Sequence, residues 1–243
     1  MKINFKIFKN LISEIISAVY PYRCLSCSEV TDKPGLCDDC EKKLDIIDPK
    51  KRCLKCGCAK SECVCNARVF RFENLVSLYR NNGSAQAAYY SYKLGKRICY
   101  ASYFAQNLCD AVTKEFRGIN FEYLTYVPSS LRSMCKRGFD HCGEIAKIMS
   151  QKMDIPLVEV LKCRNFRKSQ HESDMKARIQ NVKNKYYFTD NLKGGNILLF
   201  DDIVTTGSTL DECAKQLLIA GADKVYCISV LRQTKNQKTK GEK

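Results

Sequence analysis

The stretch Ile197-Leu198-Leu199-Phe200-Asp201-Asp202-Ile203-Val204-Thr205-Thr206-Gly207-Ser208-Thr209-Leu210 decides the reading of this 243-residue chain. Four apolar residues form a strand that ends in two adjacent carboxylates. Small hydroxyl residues and one glycine follow, and Leu210, Cys213, Ala214, Leu217 and Leu218 then recur at helical spacing. A strand leading through a short loop into a helix sets the backbone N–H groups of residues 205–209 at the positive helix end. There they converge on a phosphate, and the hydroxyls of Thr205, Thr206, Ser208 and Thr209 add donors. Gly207 permits close backbone approach and positive φ. Ser208, with Asp211 three residues on, predicts an N-terminal cap. Asp201 and Asp202 would then face vicinal ribose hydroxyls as paired acceptors, directly or through Mg²⁺. No GxxxxGK[ST] and no GxGxxG occurs, which excludes a nucleotide-hydrolase P-loop and a dinucleotide fingerprint.

Working outward, apolar runs at 76–79, 123–127, 157–161, 186–188 and 225–230 predict further strands, and 85–94, 101–116, 143–153 and 210–220 predict helices. Nearly all-apolar strands alternating with helices indicate an α/β fold, a doubly wound and mainly parallel sheet covered on both faces. Such sheets bind ligands beyond their C-terminal strand ends. Residues 233–243 predict a basic, disordered tail. No run approaches the ~20 apolar residues of a transmembrane segment.

Nine of the 16 cysteines fall between positions 24 and 65. They read Cys24-x2-Cys27, Cys37-x2-Cys40, Cys53-x2-Cys56, Cys58 and Cys63-x-Cys65. A disulfide framework is the first alternative, but Cys99, Cys109, Cys135, Cys142, Cys163, Cys213 and Cys227 are scattered singly, as reduced core thiols are. Residues 1–20 predict an amphipathic helix, with Phe8, Leu11, Ile12, Ile15, Ile16 and Val19 on one face, packed on the following domain rather than serving as a signal peptide. The expected compartment is reducing and cytoplasmic. In it, repeated Cys-x2-Cys pairs are zinc knuckles. Sequential pairing puts Cys24, Cys27, Cys37 and Cys40 on one ion and Cys53, Cys56, Cys63 and Cys65 on a second. Cys58 is left spare or replaces one ligand, and crossed pairing stays open. Closed four-thiolate sites are structural, and a segment with so few large apolar side chains needs the metal to fold.

The formal charge is +15, and its excess lies at 50–60, 162–185 and 232–243. Such patches suit phosphate-bearing partners or form solvated faces. Eight thiolates around two dications reduce the working charge to about +11, beside the first patch. His141 and His171 are the only histidines, and neither supports a hydrolytic triad.

The 197–210 segment resembles the ribose-phosphate motif of type I phosphoribosyltransferases. A cysteine-rich N-terminus ahead of it resembles the ComF family, the ComFC-like competence proteins. Arg137-Gly138-Phe139-Asp140-His141 is similar to that family's Arg-Gly-Phe-Asn segment, with Asp140 where Asn is commoner. Gln170, Arg178, Asn181 and Val182 match its Gln…Arg…Asn-Val stretch, and Lys93-Leu94-Gly95-Lys96-Arg97 a Lys–Gly turn whose basic face either meets phosphate or is solvated. The resemblance implies a double zinc ribbon over 21–66 and a phosphoribosyltransferase-like domain over 67–232. It implies a pyrophosphate loop at Val127, Pro128, Ser129 and Ser130, charged by Arg132, Lys136 and Arg137. It also implies a flexible loop over 164–182 in which Arg164, Arg167, Lys168 and Arg178 neutralise departing pyrophosphate.

Two functions follow from that resemblance. One is binding of 5-phosphoribosyl-1-pyrophosphate or a related sugar phosphate with Mg²⁺, with or without phosphoribosyl transfer to an acceptor, in DNA uptake. The other is a non-catalytic single-stranded-DNA-binding competence factor beside a DNA-translocating helicase, with basic runs and aromatic residues as contact surface. A third class, a zinc-mediated docking protein, would tolerate mutation of the pocket.

Overall fold

The computed structural model describes residues 21–63, 65, 68–95, 97–130, 134–135, 137–164 and 184–233. The expected helix over 1–20, the tail from 234, and Arg132, Lys136, Arg167, Lys168, His171 and Arg178 lie outside the described residues. In the cysteine-rich segment β1 (Tyr22–Arg23) pairs antiparallel with β2 (Val30–Thr31), and α1 (Asp38–Lys42) follows. The larger part runs β3 (Asn74–Arg80), α2 (Gly83–Leu94), α3 (Ala101–Glu115), β4 (Tyr123–Tyr126) and α4 (His141–Met153). It continues with β5 (Leu161–Cys163), β6 (Tyr186–Phe188), β7 (Asn196–Val204), α5 (Ser208–Ile219) and β8 (Lys224–Arg232).

Strands β3, β8, β7 and β4, in that order, form a parallel sheet. The side-chain period of two on β7 splits the core. Leu198 and Phe200 face α2, α3 and α4 and pack with Tyr89, Tyr92, Phe104, Leu108, Ile145 and Met149. Ile197 and Leu199 face the other way, toward Leu210, Cys213 and Leu217 of α5 and toward Val160, Leu161 and Tyr186. Each large side chain so buried contributes about 1.5–3 kcal/mol. The fold is therefore α/β and doubly wound, as the strand–helix alternation predicts.

The cysteine-rich segment lies against the outer edge of β3. Tyr79 bridges Ile46, Arg80 N donates to Asp45 O at 2.9 Å, and Leu75 N donates to Leu54 O at 2.9 Å. Arg80 also pairs with Asp45 (2.5 Å) and Glu62 (3.2 Å), and the buried Arg52 pairs with Glu115 at 3.0 Å. Cys24, Leu25, Leu36 and Cys40 join the core beneath α2, α3 and α4.

Three local expectations are corrected. The strand from Ile197 continues to Val204, so Asp201 and Asp202 lie within it; parallel pairing with β8 carries on through Ile203 opposite Leu231 and Val204 opposite Arg232. The run 157–161 is not a strand of the sheet. Leu157 makes one bridge to Leu124 at the β4 edge, and the chain then turns into a separate antiparallel hairpin of β5 and β6, whose three-residue strands bury one side only. The 208–211 cap does not form: Ser208 is already helical, Gly207 at φ +75° precedes it, and Asp211 instead accepts from Arg71 N (2.7 Å) and its guanidinium (3.0 Å).

Candidate functional site

The C-terminal ends of β4 and β7, the start of α4 and the base of the β5–β6 hairpin surround a cavity of about 240 Å³. Its lining unites Pro128, Ser129, Ser130 and Arg137 with Asp201, Asp202 and Thr209. Two separately expected loops thus face one space, beyond the strand ends where a parallel sheet binds ligands. Thr205, Thr206, Gly207 and Ser208 form the adjoining turn rather than the lining. Thr206 and Ser208 share a hydroxyl contact of 2.8 Å, and Arg68 holds Ser208 Oγ at 3.0 Å. At Gly207 a Cβ would stand in tight contact, 3.2 Å from the Phe70 ring, and the φ of +75° disfavours any side chain. Arg164 lies outside the lining, its guanidinium 5.3 Å over the Tyr187 ring.

The neighbouring carboxylates are not equivalent. Asp202 Oδ2 accepts from Lys93 Nζ and from His141 Nε2 at 3.0 Å, and Oδ1 accepts from Ile203 N at 2.7 Å. Burial alone would raise this carboxyl, but the His141 hydrogen bond and the Lys93 charge hold it far below the carboxylate range. Asp201 is buried and accepts only from Asp202 N, at 2.9 Å, among the described residues. Burial and the Asp202 charge push it well above its ordinary value. Burial and neighbouring charges thus push the two carboxyls in opposite directions.

Lys93 keeps its charge: burial lowers its pKa, and Asp202 more than restores it. His141 goes the other way, because burial outweighs its bond to Asp202. A neutral imidazole that donates from Nε2 leaves Nδ1 as a buried acceptor without a partner among the described residues. Tyr92 fixes the start of α4 by donating to the His141 carbonyl at 2.8 Å. Arg137 reaches Ser129 Oγ at 2.8 Å, and its buried Nε has no partner among the described residues. That leaves donor capacity beside the cavity for an anion.

By sequence the 93–97 turn has a basic face and His141 takes no part in a hydrolytic triad. In the structure Lys93 and His141 are wall residues on one carboxylate, with Cys142, Lys185 and Tyr186 as further lining that no motif marks. The signal available in the sequence was the proximity of His141 to the Arg-Gly-Phe segment.

The cysteines gather as sequential pairing predicts. Cys24, Cys27, Cys37 and Cys40 form one cluster and Cys53, Cys56, Cys63 and Cys65 another, ligand atoms lying within 4.8 Å of one another in each. Sulfur separations of 3.6 Å (Cys27–Cys37), 3.8 Å (Cys53–Cys65) and 3.6 Å (Cys56–Cys63) lie near the ~3.8 Å edge of a zinc tetrathiolate with 2.3 Å bonds, while Cys63 and Cys65 stand closer, at 3.1 Å. Burial raises the Cys24 thiol, but backbone N–H groups of Cys27, Cys37 and Ser26 outweigh it and lower it to about 6. Cys58 sits 3.1 Å from Cys56 and remains beside the second cluster. Both tetrads could hold structural zinc. His141, Cys142 and Asp202 also converge, but burial keeps the Cys142 thiol protonated and Lys93 already occupies Asp202.

The sequence profile described as phosphoribosyl transferase domain matches residues 140–243. With the sheet order and the carboxylate-to-phosphate-loop junction, this defines a type I phosphoribosyltransferase fold. DNA utilization protein YhgH of Salmonella typhimurium is 25% identical over 215 residues, covering 84% of this chain and 88% of that protein. Competence protein F of Haemophilus influenzae is 29% identical over 101 residues, covering 40% of this chain and 44% of that protein. The chain thus joins a cysteine-rich segment to a domain of phosphoribosyltransferase fold and is similar to proteins named for competence and DNA utilization. Among solved structures, glutamine phosphoribosylpyrophosphate amidotransferase from B. subtilis aligns at TM-score 0.38 and 21% identity, over 58% of this chain and 30% of that one. No described helix is long and apolar enough to cross a membrane.

Proposed function

We propose that the chain binds 5-phosphoribosyl-1-pyrophosphate or a closely related sugar phosphate, in a cytoplasmic protein that serves DNA uptake. The observation that carries this is the single cavity shared by Asp201, Asp202 and Thr209 with Pro128, Ser129, Ser130 and Arg137. Asp201 and Asp202 face the ribose hydroxyls, the N–H groups of 205–209 take the 5-phosphate, and the 127–130 loop with Arg137 takes the diphosphate. Arg164, at the base of the hairpin, begins the basic stretch that includes Arg167, Lys168 and Arg178 by sequence, while Arg132 follows the 127–130 loop. Mg²⁺ held mainly by the oxygens of the substrate would supply charge neutralisation of the diphosphate, with Asp202 kept as a carboxylate by Lys93 and His141. With an acceptor in place, the bond from C1 to the pyrophosphate oxygen breaks and a bond from C1 to the acceptor forms. Pyrophosphate leaves with the electron pair, and the acceptor gives up a proton. The two cysteine tetrads hold structural zinc in a ribbon spanning 21–66, ahead of the domain over 67–232.

Isothermal titration with 5-phosphoribosyl-1-pyrophosphate is expected to show saturable binding that strengthens with Mg²⁺ and weakens about tenfold or more in Arg137→Met, which removes charge-assisted hydrogen bonds. Heat indistinguishable from dilution, with and without Mg²⁺, would sink this reading.

A second reading, single-stranded DNA binding without catalysis, draws on a different place. Lys50, Arg52, Lys55 and Lys60 border a cleft of about 560 Å³ with Leu54 beside the second tetrad. Fluorescence anisotropy with labelled oligonucleotide is expected to lose affinity linearly in log salt, with a slope near −0.7 per phosphate neutralised on a single strand. Affinity indifferent to salt and to Lys50→Glu/Lys55→Glu would remove it.

A further inference from the structure

Two arginines outside the phosphate loop hold its carbonyl groups. Arg232, buried at the end of β8, donates from one terminal nitrogen to the carbonyls of Val204 (2.9 Å), Thr205 and Gln233 (3.1 Å). Its Nε donates to the carbonyl of Cys56 at 2.6 Å. Arg68 donates to the carbonyl of Thr206 at 3.2 Å and to Ser208 Oγ at 3.0 Å, while its own backbone N–H donates to the carbonyl of Cys65 at 2.8 Å. Cys56 and Cys65 both belong to the second tetrad. Each arginine therefore spans from the main chain of a tetrad residue to the main chain of residues 204–206. The Arg68 guanidinium lies 4.5 Å over the Phe70 ring, which stacks on Phe72 and backs Gly207.

In a trans peptide, the carbonyl of one residue and the N–H of the next point in opposite directions. Fixing the carbonyls of Val204, Thr205 and Thr206 therefore fixes the aim of the N–H groups of Thr205, Thr206 and Gly207. An anion-binding loop needs its N–H groups turned to the ligand and its carbonyls satisfied elsewhere. Here two cations reach them, joined at Val204 by the backbone N–H of Gln233 at 2.8 Å, and both cations are anchored on the cysteine cluster.

We propose that Arg232 and Arg68 are positioning residues that tie the loop to the second cysteine tetrad, so that metal in the ribbon sets the aim of the loop's N–H donors. The consequence for sugar-phosphate binding rests on the function proposed above; the aim of the amides does not. The test is hydrogen exchange of the ligand-free chain, read at residues 205–207, with zinc content measured in parallel. Arg232→Met is expected to speed exchange there about tenfold or more, with zinc content unchanged, and to weaken 5-phosphoribosyl-1-pyrophosphate binding by a similar factor. Cys63→Ser, which breaks the second tetrad, should speed exchange at the same amides, and Cys27→Ser, in the first tetrad, should not. In the Arg232→Met background Cys63→Ser should add less than it does in the wild type, since Arg232 is one of the two ties through which it acts. Unchanged exchange at 205–207 in Arg232→Met overturns the inference. If that variant does not fold, the cysteine pair decides: equal effects from the two tetrads, or none, overturn it. A wild type that shows the exchange effects but no donor binding overturns the proposed function instead.

Discussion

Stripping the chain with a strong chelator will abolish the native fold of the cysteine-rich segment and carry part of the main core with it. Structural zinc sites in peptides bind with about 10–16 kcal/mol of apparent free energy at neutral pH, as much as the ~5–15 kcal/mol that holds a whole domain together. The segment cannot replace that with apolar burial of its own. Leu25 and Leu36 are buried, but Val30, Ile46 and Leu54 are more than half exposed. Cys24 and Cys40 sit inside the core beneath α2, α3 and α4, so losing the first ion leaves repelling thiolates or empty space among Tyr100, Phe104 and their neighbours. Metal analysis should find two zinc ions per chain, falling to one in Cys24→Ser, and thermal melts should show a large drop in Tm on chelation. A chain that keeps its melting temperature after both ions are gone would show that the thiols pack without metal.

The second large effect separates two adjacent carboxylates. Asp202→Asn should destabilise the ligand-free protein by about 3 kcal/mol, because it leaves Lys93 as a largely buried charge without its counter-ion. Asp201→Asn should leave stability unchanged or raise it, since burial disfavours the ionised form of that carboxyl. Their pH dependences are opposite in sign. The depressed Asp202 contributes stability above the ordinary carboxylate pKa of about 3.9 and loses it as pH falls through the folded value. The elevated Asp201 contributes fully below about 3.9, and its contribution is lost as pH rises through its folded value. Urea midpoints at pH 5 and pH 8 should show wild type and Asp201→Asn diverging at the higher pH, with Asp202→Asn weakest at both. Both variants should lose most binding of 5-phosphoribosyl-1-pyrophosphate. Equal destabilisation by the two substitutions would remove the assignment of opposite shifts to the two carboxyls.

Much of this molecule is legible in the primary structure, for reasons that differ by region. The tetrads are legible because knuckle chemistry is local: two thiolates on one tight turn must sit two residues apart, and the spacing survives in any fold. The carboxylate pair and its loop are legible because a strand–loop–helix junction is continuous in sequence. What stays hidden is long-range pairing. Lys93 reads as the basic end of an exposed turn, and nothing local says that it meets Asp202, 109 residues away. Arg232 falls between the predicted strand at 225–230 and the polar tail from 233, and instead ends β8 beneath the carbonyls of Val204 and Thr205. Strand ends were misjudged because a carboxylate ordinarily halts an apolar run, whereas here β8 offers pairing partners past it.

The edge of β3 has a consequence beyond support of the site. A strand at the border of a parallel sheet is a template for another chain, and the unpaired N–H and C=O groups along it invite intermolecular pairing. Residues 45–47 and Leu54 of the cysteine-rich segment cover that border. The segment is thus also a guard against self-association, shielding from other chains an edge that the sheet itself leaves open.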